Sequence, residues 1–226
     1  MIKDRLLEVR ERIAEAKKGT ERDVTLIAVT KTHSPEMINE AIDLGITDIG
    51  ENKVQEILDK YDKVKPVRWH LIGHLQTNKV KYIIDKVCLI HSVDSVKLMD
   101  EIERQAAKHA VTMEILLQVN ITGEETKFGV APEELDILLR HAGTLKNVKV
   151  VGLMTILAKG DSEVSKRLHF NNIFNRFVDI SSNKYDNVVM KYLSMGMSGD
   201  FETAVECGSN MVRVGSAIFG DREYKQ

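Results

Sequence analysis

Eight short runs, most of them rich in Val, Ile and Leu, each separated from the next by a segment that reads as helix, divide almost the whole of this 226-residue chain. They fall at residues 24–31, 48–51, 68–73, 87–93, 113–121, 148–156, 192–197 and 211–215. Runs that are apolar throughout, rather than at alternate positions, read as strands buried on both faces. Strands of that kind alternating with helices form a parallel sheet with helices outside it. Eight such units close into a barrel. An open doubly wound sheet usually carries a glycine-rich nucleotide turn after a strand, and no G-x-G-x-x-G follows a strand here. The expected fold is therefore α/β: a (β/α)8 TIM barrel forming one domain over residues 1–226, preceded by an additional N-terminal helix. That helix carries Ile2, Leu6, Val9, Ile13 and Ala16 on one stripe and is closed by Gly19.

The helices have their own punctuation. Ser34 precedes Pro35 at the start of one, with Met37, Ile38, Ala41 and Ile42 on its inner face and Gly45 past its end. Others are expected at 52–60, after Gln76, after Asp94 or Ser95, from Pro132, over 162–181 and over 200–207. With only three prolines and no Gly/Ser-rich or charge-blocked stretch, nothing reads as a linker. A formal charge of -2 with the signs interspersed argues against nucleic acid or an anionic membrane as partner. The opening residues are amphipathic rather than an unbroken apolar core, so the expected location is the cytoplasm. Cys88 and Cys207 lack the spacing of a metal pair or a redox dithiol and read as reduced thiols.

Barrels of this type carry their chemistry at the carboxyl ends of the strands. Leu26-Ile27-Ala28-Val29-Thr30 ends on Lys31, an amine placed where partial burial favours its neutral, nucleophilic form, able to condense with an aldehyde to a Schiff base. Later strands end on Gly50-Glu51-Asn52, His70 to His74, His91-Ser92, Asn120, Met154-Thr155, Gly196-Met197-Ser198 and Arg213-Val214-Gly215-Ser216. The last two turns are the phosphate candidates, since Gly215 permits close backbone approach and Ser198 and Ser216 offer hydroxyls and N–H donors. Ser198 reads equally well as a helix N-cap, and Asp200 and Glu202 would repel an anion unless they point away. Arg213, at the end of an apolar strand, requires an anion or an acceptor beside it. Gly196-Met197-Ser198-Gly199-Asp200 lacks the second glycine of a nucleophile elbow. His70 reads as a packed, hydrogen-bonded histidine, and no metal site is expected.

Taken in order, Ala28-Val29-Thr30-Lys31-Thr32, Gly50-Glu51-Asn52-Lys53-Val54-Gln55-Glu56, Trp69 to Lys79, Gly152-Leu153-Met154, Leu193 to Ser198 and Val212 to Gly220 closely resemble the pyridoxal phosphate homeostasis proteins. Those proteins share the barrel of the alanine racemase N-terminal domain. The resemblance spans nearly the whole chain. It implies that Lys31 holds pyridoxal 5′-phosphate as a Schiff base, that Ser198, Gly215 and Ser216 hold its phosphate, that Arg213 lies near its ring, and that Asn52 and Met154 line the pocket. Lys53, His74 and Ser216 depart from the residues common in that family, and the last keeps the hydroxyl.

Two functions compete under that resemblance. One is a carrier that binds, buffers and delivers the cofactor to apo pyridoxal phosphate enzymes; the other is a weak racemase or transaminase. Racemisation takes a proton from one face and returns it on the other, which needs two poised groups. Racemases of this fold add a β domain, and their partner subunit supplies the second base. The chain stops at Gln226, soon after the eighth strand, so the expectation is a non-catalytic, monomeric carrier. A barrel that only scaffolds a partner would leave Lys31 and the glycine-serine turns without a role.

Overall fold

The computed structural model describes residues 1–124, 127–158 and 160–220, so the last six residues of the expected domain lie outside it. Eight strands form a closed parallel barrel in sequence order. They are β1 (Thr25–Val29), β2 (Asp48–Glu51), β3 (Arg68–Leu71), β4 (Leu89–Val93), β5 (Met113–Gln118), β6 (Val148–Met154), β7 (Val188–Ser194) and β8 (Met211–Val214). The helices are α1 (Ile2–Ala16), α2 (Pro35–Asp43), α3 (Val54–Lys60), α4 (Val96–His109), α5 (Leu135–Ala142), α6 (Glu163–Ser182), α7 (Phe201–Glu206) and α8 (Ser216–Phe219). Closure comes from β1 lying against β8, with Thr25 opposite Met211 and Ala28 opposite Val214.

Helix α1 buries Ile2, Leu6, Val9 and Ile13, the stripe expected from its spacing, and packs against α7 and α8. Ser95 caps α4 by accepting from the Leu98 N–H. Most of the core lies between the barrel and its helices, while Ile27, Leu89, Leu116, Val151, Met154 and Met211 form a smaller apolar layer inside the barrel. Among the described residues no helix is long and apolar enough to cross a membrane. Cys88 and Cys207 are free thiols.

Several boundaries differ from the sequence reading, for physical reasons. β1 stops at Val29 although the Thr30 N–H still reaches the Gly50 carbonyl at 3.0 Å, because Thr32 takes φ +67° and turns the chain away. β5 stops at Gln118 because the returning loop takes over its edge: the Val130 N–H donates to Gln118 and the Asn120 N–H to Val130. β7 begins at Val188, four residues earlier than expected, and ends at Ser194, where Gly196 turns at φ +95°. Its first residues alternate between half-buried and exposed, which hides them from a search for continuous apolar runs. The helix expected after Gln76 is a 3-10 helix, Thr77–Tyr82, and the one at Pro132 begins as 3-10 before α5. Helix α8 was not anticipated.

Gly152 sits where the register between β6 and β7 shifts, and a Cβ built on it would lie 1.8 Å from the Tyr192 carbonyl oxygen. Backbone cannot yield there without opening the barrel. Gly152→Ala is expected to cost roughly 3 kcal/mol, the upper end of ordinary overpacking, read as a lowered urea midpoint at unchanged slope.

Candidate functional site

At the carboxyl ends of the strands lies a cavity of about 730 Å³. Lys31, Asn52, Ser198, Arg213, Gly215 and Ser216 all line it, so six of the seven expected site residues share one space. Met154 does not. β6 turns it into the apolar layer inside the barrel, fully buried against Ile27, Leu116 and Met211, and Ile156 reaches the cavity wall in its place.

Lys31 lies in the turn after β1, half-buried, on the same side of the barrel as the turns after β7 and β8. Those turns are knitted together by Ser198, whose Oγ accepts from the Gly215 N–H at 3.1 Å and the Ala217 N–H at 3.4 Å. Ser198 is therefore not the N-cap of α7; Asp200 holds that place. Gly215 is pressed onto β1, and a Cβ there would lie 3.3 Å from both Cβ and O of Val29. The two acidic neighbours are placed differently. Glu202 turns outward to a two-point ion pair with Arg12, at 2.9 and 2.7 Å. Asp200 lines the cavity, but its Oδ1 accepts from the Met197 N–H at 2.5 Å, and burial raises its pKa above the ordinary carboxylate range. The arrangement suits a phosphate: two backbone N–H groups that converge on one oxygen, that of Ser198, two serine hydroxyls and a glycine where a side chain would crowd β1.

Arg213 is buried to 3% exposure, and desolvation pulls its pKa down to about 10 while Asp200 opposes that fall. Its hydrogen-bond acceptors are neutral: Ser194 Oγ at 2.7 Å from Nη1 and the Thr155 carbonyl at 2.9 Å from Nη2. From Ser194 a hydrogen-bonded row crosses the barrel. Ser194 Oγ lies 3.0 Å from His91 Nδ1, His91 Nε2 lies 3.0 Å from His70 Nδ1, and His70 Nε2 lies 2.8 Å from Asp48 Oδ1. Arginine can only donate, so Ser194 accepts from it and has its own hydrogen left for His91. Burial, reinforced by the charges of His70 and Arg213, holds the His91 pKa well below the ordinary value, and this ring is neutral. With His70 neutral, His91 Nε2–H donates to His70 Nδ1 and His70 Nε2–H to Asp48; with His70 protonated, its Nδ1–H donates to His91 Nε2 instead, and His91 carries its hydrogen on Nδ1. Burial also opposes charge on His70, but Asp48 and Cys88 together outweigh it and raise the pKa.

Sequence reasoning missed the outer wall. His74 stacks on Phe128 with ring centroids 3.9 Å apart, and Ile72, Gln118, Leu157 and Lys166 complete that side. His74 was visible at the end of the third strand and as a departure from a family pattern, but not as a wall residue, and Phe128 carried no signal. Gly73 has a clear reason: a Cβ there would lie 2.3 Å from the Asn52 carbonyl oxygen, so only glycine lets these two turns meet.

Fold and site together define a barrel of the alanine racemase N-terminal domain class, and the profile of that family, "Alanine racemase, N-terminal domain", matches residues 5–223. The chain belongs to the pyridoxal phosphate homeostasis protein family within it. It is 44% identical to the pyridoxal phosphate homeostasis protein of Aquifex aeolicus over 226 residues, covering 98% of both chains. The structure of PipY from Synechococcus elongatus with PLP bound is 30% identical with a TM-score of 0.86, covering 97% of this chain and 100% of that one. An alanine racemase from Clostridium difficile is 16% identical with a TM-score of 0.71, covering 98% of this chain but 61% of its own, a likeness of fold alone.

The buried row predicts a pH signature. Burial works against charge on Asp48, but hydrogen bonds from His70 and Thr47 and the charge of Arg68 hold its pKa below the ordinary 3.8. That stability is present above the unfolded value and is lost as pH falls through the folded one. His70, raised above 6.5, contributes below its unfolded value and loses that contribution as pH rises through its folded one. Thermal midpoints measured from pH 3 to 8 should show Asp48→Asn with a flatter acid limb and a smaller decline on the alkaline side than the unsubstituted protein.

Proposed function

We propose that this protein binds pyridoxal 5′-phosphate in the cavity above the barrel, attached covalently through Lys31, and serves cellular vitamin B6 homeostasis as a carrier rather than as an enzyme. The observation that carries the reading is the meeting of the half-buried Lys31 with a phosphate-type turn in a single cavity, whose other lysine, Lys166, is paired with Glu163. Full-length relatedness to the homeostasis proteins and the PLP-bound PipY structure support the same ligand. When bound, the cofactor supplies an aldehyde and an electron-withdrawing ring. Lys31 would supply the amine that takes up that aldehyde. Ser198, Gly215 and Ser216 hold the phosphate, Arg213 presents fixed N–H donors beside the ring, and Asn52 borders the space between β2 and β3. Residues 1–226 act as one cofactor-binding domain, monomeric and cytoplasmic, with apo pyridoxal phosphate enzymes as recipients.

The non-catalytic part rests on how the other titratable wall groups are engaged. Racemisation needs a second base opposite Lys31. Among the described wall residues, Asp200 accepts from its own turn, Lys166 pairs with Glu163 at 2.6 Å, His74 lies flat on Phe128, and Arg213 only donates. Weak racemase or transaminase activity is the alternative. Turnover at ordinary enzyme rates of about 1–10³ per second, lost in Lys31→Ala, would favour it; transfer of cofactor to an apoenzyme with negligible turnover on D- and L-alanine is the expected result.

Two measurements test the attachment and the phosphate cradle separately. Borohydride reduction followed by peptide mapping should place the pyridoxyl group on Lys31, and an adduct chiefly on Lys53 or Lys127 would contradict this. Gly215→Val should lose cofactor on dialysis because its side chain must enter space taken by Val29. Ser216→Ala keeps the backbone donor and should lose no more than about 1.5–3 kcal/mol of binding, the value of a hydrogen bond to a charged group.

A further inference from the structure

The turn that carries Lys31 is strained and is held from beneath. Thr32 has φ +67°, an outlier for a β-branched residue, and such a conformation persists only where its surroundings over-determine it. What holds it is a buried cluster contributed by β2 and α3. The ammonium of Lys60, the last residue of α3, donates to Glu51 Oε1 at 2.8 Å, Glu56 Oε2 at 2.9 Å and the Thr30 carbonyl at 2.9 Å, using all three of its N–H groups. Glu51 Oε1 also accepts from Thr30 Oγ1 at 2.7 Å, and Glu56 Oε2 from the Thr32 N–H at 2.7 Å. Every contact of the cluster outside itself in this set falls on the residue before Lys31 or the residue after it.

We propose that Lys60 is a positioning residue for Lys31: bridging Glu51 and Glu56, it clamps the backbone on both sides of Lys31 and fixes the line along which that amine enters the cavity. The proposal rests on the reading of Lys31 as the attachment point. Burying a cation with two carboxylates is a poor way to gain stability, since apolar side chains of similar volume commonly do as well or better. Charge is nevertheless retained at this place. Burial works against the Glu56 carboxylate, yet the Thr32 N–H and Lys60 hold its pKa below the ordinary value, so it stays an acceptor for the strained amide. Burial raises the Glu51 pKa, and Lys60 and Thr30 only partly offset it. A fixed nucleophile reacts faster than a roaming one because the orientation has been settled before the encounter. The cluster does for the Lys31 backbone what supporting groups do for any reactive side chain set on a loop.

The test compares two probes in the unsubstituted protein, Lys60→Met and Thr32→Gly. Pyridoxine 5′-phosphate has an alcohol where pyridoxal 5′-phosphate has the aldehyde, so it reports occupancy without attachment. The near-visible absorbance that grows at saturating pyridoxal 5′-phosphate reports attachment. Lys60→Met should slow attachment roughly tenfold or more while pyridoxine 5′-phosphate affinity stays within about twofold. Thr32→Gly relieves the strain and frees the turn, since glycine accepts positive φ at no steric cost. It should slow attachment in the same direction with no drop in thermal midpoint, and it keeps the question open to test if Lys60→Met fails to fold. Attachment at the unsubstituted rate in Thr32→Gly, or a loss of attachment in either variant matched by an equal loss of pyridoxine 5′-phosphate affinity, overturns the positioning role. Failure of the unsubstituted protein itself to yield a borohydride-stable adduct on Lys31 would instead overturn the reading on which the proposal rests.

Discussion

The pairing of β1 with β8 is the constraint on which the site depends. It joins the first strand to the last, with Thr25, Leu26, Ile27 and Ala28 in register with Met211, Val212, Arg213 and Val214. The turns that follow both strands are therefore side by side, and the amine of Lys31 shares a cavity with Gly215 and Ser216. The approach is close: a Cβ on Gly215 would lie 3.3 Å from Val29, which would have to give by a few tenths of an ångström. Parallel strands held together only through distant contacts fold slowly, but once the barrel is closed such a site has little freedom left.

Inside the barrel the packing is mixed. It combines an apolar cluster, including Ile27, Leu116 and Met154, with a polar row of His70, His91, Ser194 and Arg213, all almost fully buried. Unpaired, these polar groups would be costly, yet each hydrogen-bonds to the next, and the row ends on the Asp48 carboxylate. The arrangement holds the Arg213 guanidinium at the cavity wall with neutral hydrogen-bond partners. Its charge is offset at a distance, so its remaining donors are set by geometry rather than drawn to an adjacent carboxylate. The same economy appears under Lys31, where Lys60, Glu51 and Glu56 confine a short stretch of backbone.

Much of this was legible in the sequence. Val/Ile/Leu-rich runs mark most of the buried parallel strands, so the number of strands and their order followed from pattern; the span of β2 also matched, although it carries one such residue. Residues at strand ends fall by topology on one face of a barrel, which is why Lys31, Asn52, Ser198, Arg213, Gly215 and Ser216 could be grouped before any contact was seen. Met154 failed because strand-end position does not say whether a side chain rises to the mouth or fills the layer below it. The early half of β7 escaped because it is half-exposed, and the His74–Phe128 stack because it joins two loops. The buried row and the Lys60 cluster were invisible for another reason. Their members lie on different elements, and no spacing along the chain records that Ser194 meets His91 or that Lys60 reaches back to Thr30.

The central claim is that one cavity holds pyridoxal 5′-phosphate with its aldehyde carbon at Lys31 and its phosphate at the turns after β7 and β8. A crystal structure of the protein grown with pyridoxal 5′-phosphate tests this most directly. The account predicts density continuous from the Lys31 side chain into the cofactor, with phosphate oxygens within hydrogen-bond distance of Ser198 and of the Gly215 and Ser216 backbone. Cofactor bound at a different lysine, or a phosphate seated away from those turns, would contradict it.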